Sequence, residues 1–71
     1  MSENIQVKIN DDFITLGQFL KIVDLVSTGG ETKYFLNTNE IFINNTPDNR
    51  RGRKLYKGDK VIVLNKEYEI C

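Results

Sequence analysis

Asp48-Asn49-Arg50-Arg51-Gly52-Arg53-Lys54-Leu55-Tyr56-Lys57-Gly58-Asp59-Lys60 is the stretch from which the rest of this chain is best read. Residues 50 to 60 hold six of the ten Lys and Arg residues and one acid, Asp59, a local charge of +5 in a chain of zero net charge. Like charges this close repel one another, and the cluster is unfavourable unless an opposite charge meets it. Such a patch is an electrostatic footprint for phosphate, and hence for nucleic acid. The competing reading is a solvated loop whose arginines pair with the chain's own acids. Outside the stretch the balance reverses, with four bases (Lys8, Lys21, Lys33, Lys66) against nine acids. Basic charge is concentrated and acidic charge is spread, so the molecule is expected to be bipolar.

Seventy-one residues make a single domain, 1–71. A domain this short buries only about 60% of the surface its unfolded chain exposes, so its stability is marginal. The lone cysteine, Cys71, permits no internal disulfide, which fits a reducing compartment. The start is polar at Ser2, Glu3 and Asn4, and no apolar run is long enough for a signal peptide or a membrane span. A soluble cytoplasmic protein with no membrane association is expected, and a monomer.

Upstream of the basic stretch, Ile5, Val7 and Ile9 alternate with Gln6 and Lys8, the pattern of a half-buried strand. Asn10-Asp11-Asp12 breaks it, and Phe13-Ile14 leads into a helix. Thr15 and Gln18 form a capping box, with Ile14 and Phe19 at the spacing of a hydrophobic staple. Leu16, Phe19, Leu20 and Val23 make an apolar stripe that Ile22, Leu25 and Val26 widen, so burial on more than one side is expected. Gly17 in the first turn lowers helix propensity, and the sequence offers no reason for it. Gly29 has two competing uses: a left-handed end for this helix, or the first turn of a second one capped by Thr28 and Glu31. That second helix is expected from about Gly30 to Asn37, with Phe35 and Leu36 facing the core. A Gly-Gly turn at a helix start can expose N–H groups to a phosphate, but the Gly-Lys-Ser/Thr of a P-loop is missing and a plain helix–helix turn is the commoner reading.

Next come a short strand at Glu40–Ile43, a two-residue turn at Asn44-Asn45, and a returning segment from Thr46-Pro47, where Pro47 belongs at an edge. Leu55 and Tyr56 are expected to anchor the basic stretch to the core, and Lys57-Gly58-Asp59 to make a tight turn. Val61-Ile62-Val63-Leu64 reads as the most buried strand, Asn65-Lys66 as a turn, and Tyr68 and Ile70 as the inward positions of a last strand. The fold class is therefore α+β: two short helices packed on a small, mostly antiparallel sheet of short strands.

Two short helices with a small-residue turn between them, and a compact sheet containing Lys57-Gly58-Asp59-Lys60-Val61, resemble the S4-type RNA-binding domain, the alpha-L motif. The match runs over about 15–64, the core of the motif. Gly29-Gly30 with Lys33, Phe35 and Leu36, together with Asn49-Arg50-Arg51-Gly52-Arg53-Lys54-Leu55-Tyr56 and Gly58-Asp59, resembles more narrowly the small stand-alone bacterial YaaA/YbcJ-like proteins. The resemblance implies a non-catalytic protein that binds structured RNA, rRNA or tRNA, on the exposed side of the helix pair and the neighbouring hairpin loop. It implies RNA contacts at Thr28 and Lys33 of the second helix, and at Arg50, Arg51, Arg53, Lys54 and Lys57 of the basic hairpin loop. Three positions depart from the general motif. Thr15 and Gly29 stand where arginines are usual, and Asn45 replaces a glycine. The first two losses shift the expected binding toward the hairpin arginines.

The chemistry suits such a partner. Arginine grips phosphate oxygens in pairs and stacks on bases, and Gly52 lets the loop adapt. Tyr34 and Tyr56 have the rings to stack on a flipped base, although a core or boundary position is the commoner fate of a tyrosine. No histidine is present and the one cysteine is terminal, so a Cys–His pair or zinc site has no ligands. No catalytic residue, metal or cofactor is expected. The main alternative is an adaptor that docks its basic loop on an acidic protein in a translation or replication complex. A sulfur carrier is the weaker one, because carriers end in Gly-Gly and this chain ends Glu69-Ile70-Cys71.

Overall fold

In a computed structural model, which describes residues 3–71, the expected alternation at the start of the chain is present. Met1 and Ser2 of the polar start lie outside the described residues. Strand β1 (Glu3–Val7) leads to buried Val7 and Ile9, with Gln6 and Lys8 exposed. Past Asn10-Asp11-Asp12 the chain makes a strand that the sequence reading did not anticipate, β2 (Phe13–Thr15). Only three residues long, it is created by its partner: Ile14 pairs with Leu55, and both are buried.

Helix α1 (Leu16–Ile22) opens with the expected capping box. The Gln18 N–H donates to Thr15 Oγ1 at 3.2 Å, and the Thr15 N–H donates to Gln18 Oε1 at 2.9 Å. It is shorter than its apolar run suggested and ends after Ile22, which is left 55% exposed. The cause is Asp24, which takes the left-handed conformation at φ 66°. The Leu25 N–H then reaches Leu20 O at 2.9 Å and the Asp24 N–H reaches Lys21 O at 3.1 Å, a Schellman closure. Because Asp24 ends α1, Gly29 is free for its other use and opens α2 (Gly29–Thr38). Thr28 caps α2 by accepting from the Glu31 N–H at 3.2 Å, while Glu31 Oε1 accepts from the Ser27 N–H at 3.1 Å. The Glu31 carboxylate folds over this helix end, so the Gly-Gly turn is a helix–helix connection rather than a phosphate cradle. Leu36 is buried and Phe35 packs against the core in part.

The remaining strands are β3 (Phe42–Ile43), β4 (Thr46–Pro47), β5 (Lys54–Tyr56), β6 (Lys60–Val63) and β7 (Lys66–Ile70). Five of the strands form one sheet in the order β1-β7-β6-β3-β4, antiparallel except for the parallel pair β1·β7. A separate antiparallel pair, β2·β5, covers its own side of the core. Pro47 lies on the edge strand β4, as a residue without a donor must. Asn44 and Asn45 make the expected turn with φ of 52° and 69°. The turn between β6 and β7 is displaced by one residue from its expected place. It is Leu64-Asn65, with φ of 52° and 62°, because Val63 pairs with Lys66. Leu64 is therefore half exposed rather than the end of a buried strand.

The core joins both layers: Leu16, Phe19 and Leu20 from α1, Leu36 from α2, Leu55 from β5, and Val61, Val63, Tyr68 and Ile70 from the larger sheet. The Phe19 ring meets the Tyr68 ring edge-on, with centroids 5.2 Å apart, and this fixes α1 against β7. This is the expected α+β arrangement of two short helices on a mostly antiparallel sheet.

Candidate nucleic-acid interface

The arginine segment is not the tip of a hairpin. It crosses from β4, in the larger sheet, to β5, which pairs with β2. On the way it is fastened to the start of α1, whose first N–H groups have no partner within the helix. The Leu16 N–H donates to Arg53 O at 2.7 Å and the Gly17 N–H to Arg51 O at 3.0 Å. The segment turns on itself where the Arg53 N–H reaches Arg50 O at 3.1 Å.

Gly17 acquires its reason here. A Cβ at this position would lie 2.8 Å from Arg51 Cγ, so only glycine lets the Arg51 side chain cross the helix start. Arg51 lines two neighbouring hollows. One, of about 310 Å³, is also lined by Thr15, Gln18, Lys21 and Thr32. The other, of about 290 Å³, is lined by Lys33, Leu36, Asn37 and Asn49. Arg51 and Lys33, assigned separately from sequence, thus share one hollow. Lys21 joins the same face, and its position one turn after Gly17 is the signal that could have found it.

A third, open concavity of about 620 Å³ lies on the other side of the segment, lined by Arg50, Gly52, Arg53, Lys54, Tyr56 and Asp59. Gly52 borders both this concavity and the Arg51 hollow, so the basic surface is continuous across the segment.

The arginines are not equivalent. The Asp48 side chain is only 7% exposed and holds two of them. Its Oδ1 accepts from the Arg50 N–H at 2.9 Å and from Arg50 Nε at 3.2 Å. Its Oδ2 accepts from Arg50 Nη2 at 2.9 Å and Arg53 Nη1 at 3.1 Å. The Arg50 side-chain hydrogen bonds, helped by its backbone N–H and charge and by Arg53, hold the Asp48 carboxyl down at about 2 against the opposing effect of burial. Arg53, 30% exposed, also donates from Nε to Lys54 O at 3.2 Å and is largely a structural group. The pairing reading is thus correct for Arg53 and partly correct for Arg50, whose side chain stays 71% exposed. Among the described residues, no carboxylate pairs with Arg51, Lys33, Lys54, Lys57 or Lys60.

The other assigned residues are dispersed. Thr28 is exposed, but its hydroxyl serves as the cap of α2. Lys57 sits exposed in the turn before Gly58, whose φ of 97° suits a residue without a Cβ. Lys54 points its ammonium at the Phe13 ring, 4.9 Å from the centroid. The two tyrosines expected at the core or its boundary are both exposed, Tyr34 to 71% and Tyr56 to 48%. They escape burial because the inward positions beside them go to Leu36 and Leu55.

No helix among the described residues is long and apolar enough to cross a membrane. Residues 7–71 match the family model described as S4 domain. The chain is 54% identical over 55 residues to the probable ribosome maturation protein RlbA of Bacillus subtilis (strain 168), an alignment covering 78% of each. No solved structure matches at a significant level. With two capped helices on a small sheet, an arginine segment fastened across them and a family match over nearly the whole length, the chain belongs to the S4 domain family.

Proposed function

We propose that this protein is a non-catalytic, monomeric binder of folded RNA and that ribosomal RNA in an assembling ribosome is its target. The observation that carries this reading is Arg51. It is held across Gly17 without a carboxylate partner among the described residues, beside Lys33 and Lys21 on one side and the Arg50–Lys54 concavity on the other. With its stem lying against Gly17 and no carboxylate on it, this exposed guanidinium is free to grip phosphate oxygens. Folded RNA presents shape, phosphates and 2′-OH groups more than readable base edges, which suits a basic band with few side-chain carboxylates. The ribosome assignment draws on the printed name of the Bacillus relative. Thr28, Lys33, Arg50, Arg51, Arg53, Lys54 and Lys57 remain the assigned contacts, with Arg51 and Lys33 central and Arg53 chiefly holding the loop.

The experiment is a titration of a structured ribosomal RNA fragment with the wild type and with Lys33→Gln/Arg51→Gln, with thermal unfolding of both proteins. Losing two charged contacts is expected to weaken binding by at least about tenfold, since hydrogen bonds to charged groups contribute roughly 1.5–3 kcal/mol each. The melting midpoint is expected to move by only a few degrees. Unaltered RNA affinity in a folded double variant would refute the reading.

A further inference from the structure

The outer face of the β2·β5 ribbon is unusual for a small domain. Phe13 and Tyr56 lie directly opposite each other in the register, and both are exposed, to 37% and 48%. Their ring centroids are 5.7 Å apart with planes tilted by 47°. Lys54, two residues before Tyr56 and so on the same face, sits against the Phe13 ring. Two apolar rings left in water beside the Arg50–Lys54 concavity need an explanation that core packing does not supply, because Ile14 and Leu55 fill the inward face.

Tyr56 lines the concavity and Phe13 does not. Phe13 braces the Tyr56 ring, and Lys54 covers part of Phe13. The Tyr56 backbone is fixed as well: its N–H donates to Asp59 Oδ2 at 2.8 Å, and Asp59 Oδ1 accepts from Asn44 Nδ2 at 3.2 Å. The acid that borders the concavity therefore has both oxygens engaged. What remains available there is the Tyr56 ring, with Arg50 and Lys54 beside it.

We propose that this concavity is a subsite for one unpaired nucleotide of the bound RNA, its base stacked on Tyr56 and its phosphate held by Lys54 and Arg50. The proposal rests on the RNA-binding reading above and narrows it from folded RNA to folded RNA with an extruded base. Charge complementarity selects the occupant: an aromatic ring alone would accept many apolar groups, but a ring beside the exposed cations of Arg50 and Lys54 matches a flat base joined to a phosphate. A fully paired stem keeps its bases stacked inside and has none to offer.

The test compares two labelled RNA hairpins of the same stem, one with a single bulged 2-aminopurine and one fully paired. Stacking on an aromatic side chain strengthens binding substantially per base. The wild type is therefore expected to prefer the bulged hairpin by about tenfold, with the 2-aminopurine emission changed on binding. Tyr56→Leu is expected to remove the preference and the emission change, while leaving affinity for the paired hairpin within about twofold. Tyr56→Phe, which keeps the ring, is expected to retain both. Far-ultraviolet circular dichroism and thermal unfolding establish that each variant is folded. Equal wild-type affinity for the two hairpins, or equal weakening of both by Tyr56→Leu, overturns the subsite while leaving RNA binding intact. Binding to neither hairpin overturns the subsite together with the RNA reading.

Discussion

At the scale of single residues, Gly17 and Arg51 act as a pair, and their coupling can be measured. Alanine at position 17 gains helix propensity, up to about 1 kcal/mol, but its Cβ collides with Arg51 Cγ, and overpacking of this kind typically costs about 1–3 kcal/mol. Gly17→Ala is therefore expected to destabilise the wild type by about 1 kcal/mol. In an Arg51→Ala background the obstructing atoms are gone, and the same change is expected to become neutral or stabilising. A double-mutant cycle by urea unfolding reads this reversal directly, and additive effects would show that the two residues do not meet. Asp48 offers a second residue-level expectation. Its carboxyl is lowered from 3.8 to about 2 in the folded protein. A depressed carboxyl stabilises the fold above the unfolded value and loses that contribution as pH falls through the folded one. The contribution is about 1 kcal/mol once screening of the 71% exposed Arg50 partner by solvent is allowed for. The stability gap between the wild type and Asp48→Asn is expected to be open at pH 5 and nearly closed at pH 2, as followed by urea midpoints. Neither role was legible in the sequence. Gly17 looked like a defect in a helix because its partner lies 34 positions away, and Asp48 drew no reading of its own because its role exists only once the segment folds around it.

At the scale of elements, local rules succeeded where one residue decided the outcome and failed where a distant strand did. The capping box of Thr15, the Asn44-Asn45 turn, the edge position of Pro47 and the glycine turn at Gly58 are all local, and all are present. Strand β2 was missed because three residues carry no periodicity of their own and exist as a strand only through Leu55. The end of α1 was overrun because its apolar pattern continues through Leu25 and Val26, although Asp24 turns the backbone left-handed first. Leu64 shows the same effect in a sheet. Its side chain suits a strand, but the pairing of Val63 with Lys66 places it in a turn at φ 52°. A non-glycine residue held there costs about 1–2 kcal/mol, less for asparagine, whose side chain supports that conformation. Leu64→Asn is expected to stabilise the protein by roughly 1 kcal/mol and raise the melting midpoint by about 4–8 °C, the usual conversion for a domain of this size. Scanning calorimetry would show it.

At the scale of the whole molecule, charge and scaffold are separate designs. The basic band crosses from the α1–α2 side through Gly52 to the outer face of β2·β5. The charge asymmetry was legible from the positions of the charged residues along the chain, but its division into a latched pair, Arg50 and Arg53, and an open set around Arg51 depended on where Asp48 came to rest. If four or five cations of this band each neutralise a phosphate, the logarithm of the binding constant should fall with the logarithm of salt concentration with a slope near about −3, at about −0.7 per contact. RNA titrations at several salt concentrations measure that slope, and a flat dependence would contradict a phosphate-gripping band. The strand order has a different consequence. The first strand lies beside the last, with β7 inserted between β1 and β6. During synthesis, therefore, β1 emerges first and waits without a neighbour until residues 66–70 have left the ribosome. The sheet cannot close before β7 is available, so β1 stays without its only strand neighbour while both helices and β3 to β6 are being made.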